Sequence, residues 1–391
     1  MHHIYLKPGR ERPVLHGHPW IFSGAVAGLD GPADSVGVAD VYDSKKNWLA
    51  RGLYNAKSQI RVRLLTWRDE AIDAAFFSRR IGRALALRER HLTDVTNAYR
   101  VVNGEGDFLP GLIVDRYDRT LVCQFFTAGM VLFKEEIVQA LSRCDSIAGI
   151  FERSEGRVGA EEGLEPSVGV LSGEPPPDLV TVEENRLRFF VDVRRGQKTG
   201  FFLDQRDNRT FLATLAPNRS VLNCFAYTGG FSVFAYQGRA RDVVTLDSSF
   251  PALELAEKNI ALNGFSEHPG EIIKGDAFAF LKELDRSFDL IVLDPPSLAH
   301  RRSDLDPATG GYKFLNLHAL RHLNPGGILL SFSCSQHVSV DLLQKIIFGA
   351  AVDAGRQVAV VKRLSQPVDH PFSLHHPEGE YLKGLALVAL D

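Results

Sequence analysis

Five stretches of this chain end an apolar run on a residue with chemical use. In the first, Val221-Leu222-Asn223-Cys224 leads into Phe225-Ala226-Tyr227-Thr228-Gly229-Gly230, a glycine turn that lets backbone approach a ligand closely. Eighteen residues past Gly229 a second run ends at Asp247, where an acid suits the hydroxyls of a ribose. A third ends in Gly275-Asp276-Ala277, where a carboxylate can accept from an adenine amino group, and a fourth in Asp294-Pro295-Pro296-Ser297. The fifth, Gly327-Ile328-Leu329-Leu330-Ser331-Phe332, runs into Ser333-Cys334-Ser335. A thiolate at such an end is a nucleophile for covalent catalysis. Each element has a plainer reading: the turn as punctuation, the acids as caps, the cysteine as a small buried hydrophobe. Four of them ordered on successive strand ends make a more specific pattern. The turn lacks a full GxGxxG, which argues against a dinucleotide-dependent dehydrogenase.

These residues need a frame that brings strand ends together. From about residue 183, apolar strands at 220–224, 242–246, 271–274, 290–293 and 327–333 alternate with helices, for example at 250–263. That alternation predicts an α/β fold, a Rossmann-like, doubly wound and mostly parallel sheet, whose ligands sit beyond the carboxyl ends of the strands. Residues 69–182 read as a separate α+β unit. It has a helix with apolar residues at Ala74, Phe77, Ile81, Ala84, Leu85 and Leu92, strands at 100–102 and 121–126, turn chemistry at 104–111, and a helix at 133–142. The prolines of Gly173-Glu174-Pro175-Pro176-Pro177-Asp178 mark a linker-like stretch. Residues 1–68 predict a small β-barrel, with strands at 37–41, 48–53 and 60–67 between Gly, Pro and Asp turns.

The net charge of −3, with 45% apolar and 24% charged residues, is that of an ordinary soluble protein, so any nucleic-acid footprint must be local. Three stretches are locally basic. Residues 1–68 hold ten Lys or Arg against five Asp or Glu, residues 186–209 hold seven against three, and His300-Arg301-Arg302 follows the Asp-Pro-Pro loop. The cysteines Cys123, Cys144, Cys224 and Cys334 form no CxxC pair and neighbour no histidine at zinc spacing, so no metal site is expected and a reducing compartment fits. Cys123 and Cys144 read as packing residues, and Cys224 as packing beneath the glycine turn. No apolar run reaches about 18 residues and the N-terminus lacks a signal-peptide pattern, so a cytoplasmic protein without a membrane partner is expected.

The motif series resembles that of class I methyltransferases, which bind S-adenosylmethionine on such a sheet. Upstream, Gln197-Lys198-Thr199-Gly200-Phe201-Phe202-Leu203-Asp204-Gln205-Arg206-Asp207-Asn208-Arg209 resembles the segment preceding that sheet in one family. These are the bacterial large-subunit (23S) ribosomal RNA cytosine-5 methyltransferases with an N-terminal PUA domain. The likeness covers nearly the full chain. It takes in His18-Pro19-Trp20-Ile21-Phe22-Ser23-Gly24, residues 48–52, 75–80 and 104–111, Ser333-Cys334-Ser335, Asp369-His370-Pro371, and Pro377-Glu378-Gly379-Glu380-Tyr381-Leu382-Lys383-Gly384. Those relatives run PUA domain, small α+β domain, methyltransferase domain, the order read above from pattern alone.

The resemblance implies S-adenosylmethionine as cofactor, S-adenosylhomocysteine as product and no metal. Its cofactor contacts would be Lys198, Gly200, Phe202, Asp204, Arg206, Asn223, Phe225, Tyr227, Thr228, Gly229, Gly230, Asp247, Ser248, Asp276, Ala277, Asp294 and Pro295. It assigns Cys334 as the thiol that adds to C6 of cytosine so that C5 becomes nucleophilic, with Asp294 as partner of N3. Large-subunit ribosomal RNA is the implied partner, contacted by Arg10, Arg12, His18, Trp20, Arg301, Arg302, Tyr312 and Lys313, with a homodimer as a candidate assembly. Trp20 is equally readable as barrel core. Two other functions stay open. Asp-Pro-Pro followed by an aromatic is a signature for methylating an exocyclic amino group, although Ser297 stands at the aromatic position, where close relatives often carry Lys. The other is a non-catalytic RNA-binding assembly factor, against which the intact Asp247, Asp276, Asp294 and Cys334 argue.

Overall fold

The computed structural model describes residues 1–299 and 301–391, apart from the side chains of Arg157 and Val158. The chain forms two compact units, each assembled from separated segments. The first comprises Met1–Glu183, Val191–Leu203 and Val368–Gly379, and the second Glu184–Phe190, Asp204–Pro367 and Glu380–Asp391.

The first unit opens with six strands: β1 (His2–Leu6), β2 (Trp20–Phe22), β3 (Val26–Asp30), β4 (Val36–Tyr42), β5 (Trp48–Asn55) and β6 (Ile60–Thr66). They form one sheet in the order β2-β6-β5-β4-β1-β3, with β1 and β4 parallel and the other neighbours antiparallel. Alternation drives it: Ile4, Leu6, Val41, Val62 and Leu64 point into one core. The helix Ala74–Leu92 starts where Asp73 accepts the Phe76 N–H at 2.8 Å, and it buries Phe76, Phe77, Ile81 and Ala84. A second sheet follows, from β7 (Ala98–Asn103), β8 (Leu112–Tyr117), β9 (Thr120–Phe125), β10 (Gly149–Ser154) and β11 (Ser167–Gly173), in the order β11-β10-β9-β8-β7. Glu162 joins these two parts of the unit: it is buried and accepts from Asn55 Nδ2 at 2.9 Å, Arg63 at 2.7 Å and the Ser58 hydroxyl. The proline run lies between β11 and β12 (Val180–Glu184), and β13 (Leu187–Val191) follows in sequence.

The second unit holds a seven-stranded sheet of β14 (Ser220–Cys224), β15 (Asp242–Asp247), β16 (Gly270–Lys274), β17 (Phe288–Leu293), β18 (Leu323–Ser333), β19 (Val358–Ser365) and β20 (Lys383–Ala389). Its order is β16-β15-β14-β17-β18-β20-β19. The strands β14 to β18 are mutually parallel, whereas β20 runs antiparallel to both β18 and β19. Every residue of β14 is buried, as a parallel strand covered on both faces requires. The chain builds outward from β14 to β16 and then returns to β17. The carboxyl ends of β14 and β17 therefore flank the topological switch point, where such sheets bind ligands. The five expected parallel strands and the helix Phe250–Leu262 are present; β1 to β3, β8, β10 to β13, β19 and β20 were not expected from sequence.

Candidate active site

Register sets the site. Cys224 pairs with Leu246 on one side and Leu293 on the other, and Leu293 pairs with Ser331. The ends of β14 and β17 are thus level, β15 runs one residue further and β18 two, and Asp247, Phe225, Asp294 and the Ser333-Cys334-Ser335 turn all leave the sheet at one edge.

At the β14 end the chain turns through Phe225 (φ 60°), Tyr227 (φ 48°) and Gly229 (φ 76°), three left-handed residues within five. Such backbone costs about 1–3 kcal/mol per non-glycine residue and persists where surrounding contacts dictate it. Several contacts do so here. Asp247 accepts the Tyr227 N–H and the Ser249 N–H, each at 2.8 Å, and buried Asn259 donates to the Thr228 carbonyl at 3.0 Å. A side chain at Gly229 would meet Ala256 Cβ at 2.9 Å, so glycine is required both by its φ and by this close approach. The helix Gly230–Gln237 begins immediately after, with the cofactor candidates Gly229 as its N-cap and Gly230 as its first residue. Buried Asn223 donates to Ser232 Oγ at 2.9 Å, which also receives the Thr245 hydroxyl at 2.8 Å. Asn223 Oδ1 and Thr228 Oγ1 are buried and find no hydrogen-bond partner among the described residues. Ser248 is exposed beside half-buried Asp247. Asp276 is exposed too, and it caps the helix Ala277–Glu283 through Ala279 N at 2.9 Å.

At the β17 and β18 ends, Asp294 and Cys334 are both half-buried. Cys334 Sγ lies 4.0 Å from the Pro295 carbonyl oxygen, so the thiol and the Asp-Pro-Pro loop are neighbours. A hydroxyl network holds the turn. Ser333 donates to the Tyr312 hydroxyl at 2.9 Å, Tyr312 and Ser335 hydroxyls lie 2.9 Å apart, and Ser335 and Ser297 hydroxyls lie 3.1 Å apart. Ser335 Oγ also accepts the Ala299 N–H at 3.2 Å, tying the two loops together. Burial holds the Tyr312 phenol above its ordinary pKa, opposed by its bonds to Ser333 and Ser335, so it serves as a neutral hydroxyl. Tyr312, expected among the RNA contacts, is instead 1% exposed and faces this network.

The other candidates belong to both units. Lys198, Gly200 and Phe202 belong to the first unit, where Lys198 Nζ sits 4.5 Å over the Phe202 ring. Gly200 has φ 129°, and a side chain there would come within 2.7 Å of Val191. Asp204 and Arg206 are buried in the second unit, Asp204 accepting the Tyr381 hydroxyl at 2.7 Å. Arg10 and Arg12 are exposed. Trp20 is half-buried: its Nε1 donates to Glu105 at 2.9 Å and its ring packs edge-on against His376 at 4.4 Å. His18 lies 3.8 Å from Glu378. Arg301 and Arg302 are exposed, and Lys313 pairs with Asp353 at 2.7 Å. His300, expected beside the two arginines, lies outside the described residues. Asn259 stands outside the motifs read from sequence, and Lys383, within one of them, carries no expected role there; nor do the hydroxyls of Ser297 and Ser335.

Among the described residues no group of three or more His, Cys, Asp or Glu can hold a metal ion, and no helix is long and apolar enough to cross a membrane.

Residues 130–379 match the S-adenosylmethionine-dependent methyltransferase family, and residues 4–67 match a PUA-like domain. The sheet and its strand-end loops thus belong to a methyltransferase whose methyl donor is S-adenosylmethionine. Two solved structures share the fold: a methyltransferase in complex with S-adenosylhomocysteine (TM-score 0.87, 21% identity) and a Streptococcus mutans protein assigned to the S-adenosylmethionine-dependent methyltransferases (TM-score 0.85, 20% identity). Each comparison covers 99% of this chain and 100% of the other. Ribosomal RNA large subunit methyltransferase I of Tolumonas auensis is 44% identical over 393 residues, covering 99% of both chains. The Photobacterium profundum protein of that name is 44% identical over 389 residues, covering 98% of both. The chain belongs to the S-adenosylmethionine-dependent methyltransferase family that contains these ribosomal RNA large subunit methyltransferases I.

The residues at the β14 and β15 ends fit that cofactor. Each Asp247 oxygen accepts one backbone N–H and retains further lone-pair capacity for ribose hydroxyls. The unpaired Asn223 and Thr228 oxygens give the turn additional polar capacity for a ligand.

Proposed function

We propose that this chain transfers a methyl group to C5 of a cytosine in large-subunit ribosomal RNA through a covalent Cys334–C6 adduct. The observation that carries the reading is the contact between Cys334 and the Asp294-Pro295 loop at the switch-point edge of the sheet, with Sγ 4.0 Å from the Pro295 oxygen. The relatives' names support ribosomal RNA as substrate, and the PUA-like match over residues 4–67 supports RNA binding through exposed Arg10 and Arg12. We read the chain as an RNA-binding segment at 1–68, an α+β segment at 69–182 and a methyltransferase segment at 183–391.

When bound, S-adenosylmethionine supplies an electrophilic methyl group. Asp247, Asn223 and Thr228 would hold it at the β14 and β15 ends, with Asp276 on the adenine side. Cytosine C5 is too weak a nucleophile unaided. The Cys334 thiolate adds to C6, and the ring electrons move toward N3, where Asp294 hydrogen-bonds or protonates the nitrogen. C5 of that enamine takes the methyl group. Loss of the C5 proton to a base then expels the thiolate and restores the aromatic ring. The target base must leave its stack to reach the thiol, as other base-modifying enzymes require.

Asp294-Pro295-Pro296 also suits methylation of an exocyclic amino group. Ser297 disfavours that reading, because its hydroxyl is engaged with Ser335 and it offers no ring to stack on a base.

Large-subunit ribosomal RNA transcribed with 5-fluorocytidine provides the test, since fluorine at C5 cannot leave as a proton. The expected result is an S-adenosylmethionine-dependent covalent adduct on the peptide containing Ser333-Cys334-Ser335. An adduct on Cys224, or methyl groups found on exocyclic nitrogen without any adduct, overturns the C5 reading.

A further inference from the structure

Lys383 is 4% exposed, and a lysine is seldom so buried without a partner for its charge. It opens β20, where antiparallel pairing sets it opposite Ser333, the residue before the thiol. Its Nζ donates to the Ser335 carbonyl at 2.9 Å, the residue after the thiol. The ammonium group is therefore fixed to the same three-residue turn that carries Cys334. The neighbouring hydroxyls of Ser333, Ser335, Tyr312 and Ser297 bear no charge; the acids around the turn are Asp294, in the loop that touches Cys334, and Glu380, and among the described residues Lys383 makes no ion pair with either.

We propose that Lys383 is a positioning residue that pins the Ser333-Cys334-Ser335 turn and supplies the fixed positive charge that favours the Cys334 thiolate.

The energetics run in both directions. Burial pulls the Lys383 ammonium below its ordinary pKa, and the charge that most raises it again is that of Cys334, ahead of Glu380. Interaction between two ionisable groups is reciprocal, so the cation that a thiolate stabilises also stabilises the thiolate. The thiol proton goes to solvent, and Lys383 keeps its own protons throughout: it is a counter-charge and not the base that removes the C5 proton. A charge bonded to the carbonyl beside the nucleophile also costs no reorganisation when the thiolate forms. The contrast with Cys224 and Cys123 is direct. Both are fully buried, and burial pushes both thiols well up.

The inference deepens the C5 reading and rests on it for its use, but it is measured without turnover. Full-length protein is alkylated with iodoacetamide across a pH series, and modification of the Cys334 peptide is followed by mass spectrometry. The wild-type midpoint is expected below the roughly 8.5 of a free cysteine. Lys383→Met is expected to raise it by about one pH unit or more, and Lys383→Arg by less than half as much. Affinity for S-adenosylmethionine, measured on each variant, reports whether the sheet still folds. A wild-type midpoint at or above the free-cysteine value overturns the proposal whatever the variants do. So does an unchanged midpoint in a Lys383→Met protein that still binds cofactor. Either result would leave the 5-fluorocytidine adduct unaffected, whereas a missing adduct with a lowered midpoint would remove the C5 reading and leave the role of Lys383 standing.

Discussion

Cys224 and Cys334 end or follow strands of the same sheet, two positions apart in its order, and they live in opposite surroundings. Cys224 is the last residue of β14, fully buried in a hydrophobic core of the second unit, and burial alone pushes its thiol up. Cys334 is the first residue past β18, half-buried, framed by two serines and a tyrosine and adjacent to a buried lysine. One step inside or outside the sheet edge separates a packing atom from the thiol we propose as the nucleophile. A cysteine's reactivity follows from whether its thiolate is solvated or paired, not from its presence beside a ligand site.

The comparison breaks most sharply on turnover. Cys334→Ala is expected to lower methyl transfer by on the order of 10⁴-fold or more, because a covalent route loses its nucleophile, while Cys224→Ala retains most activity. Tritiated methyl incorporation into unmodified large-subunit RNA measures both; comparable activity in the two variants would erase the distinction. Next in size is the cofactor side. Asp247→Ala should weaken S-adenosylmethionine binding by about 2–3 kcal/mol, since the acid both accepts Tyr227 N–H and remains open to a ribose. Calorimetry reads it directly, and Cys334→Ala should leave the same affinity unchanged.

Tyr312→Phe tests what holds the β18 end. It removes the hydroxyl between Ser333 and Ser335, at a cost of about 1–2 kcal/mol in unfolding free energy by urea titration. It should lower kcat with little change in cofactor affinity; a weakened cofactor site with normal kcat would place Tyr312 on the wrong side of the comparison. The smallest effect is expected for the stability of Cys224→Ala, about 1 kcal/mol or somewhat more from a small cavity in a packed core. A larger loss, or a change in the pH dependence of methyl transfer, would mean that Cys224 does more than fill space.

The residues that carried the reading were visible because of how parallel sheets are written in sequence. Buried parallel strands appear as short apolar runs, and each run gives way to a loop at the ligand edge. Gly229, Asp247, Asp294 and Cys334 could therefore be placed at strand ends by position, while the roles expected of Asp294 and Cys334 came from the family resemblance. The plainer reading of Asp276 as a cap is realised in the bond to Ala279 N, which does not compete with a cofactor role at its exposed oxygen. Tyr312 and Lys313 show where such reading stops. Adjacent residues on a helix point about 100° apart, so a Tyr-Lys pair says nothing of which one faces in. The helix Leu305–Arg321 buries the tyrosine and turns the lysine out to Asp353.

The chain's order of elements, its cofactor class and its candidate thiol were determined by sequence, because local periodicity and strand-end chemistry are encoded within a few residues. Tertiary structure alone decided what surrounds that thiol. Lys383 meets Ser335 across 48 residues of chain, and Tyr312 meets Ser335 across 23. The first contact exists because β20 inserts antiparallel between β18 and β19, in a register that sets Lys383 against Ser333. Nothing in a stretch of sequence records that register, since it is set by how the whole sheet closes its apolar faces. The electrostatics of the proposed nucleophile are therefore a property of the assembled sheet and not of the Ser-Cys-Ser motif.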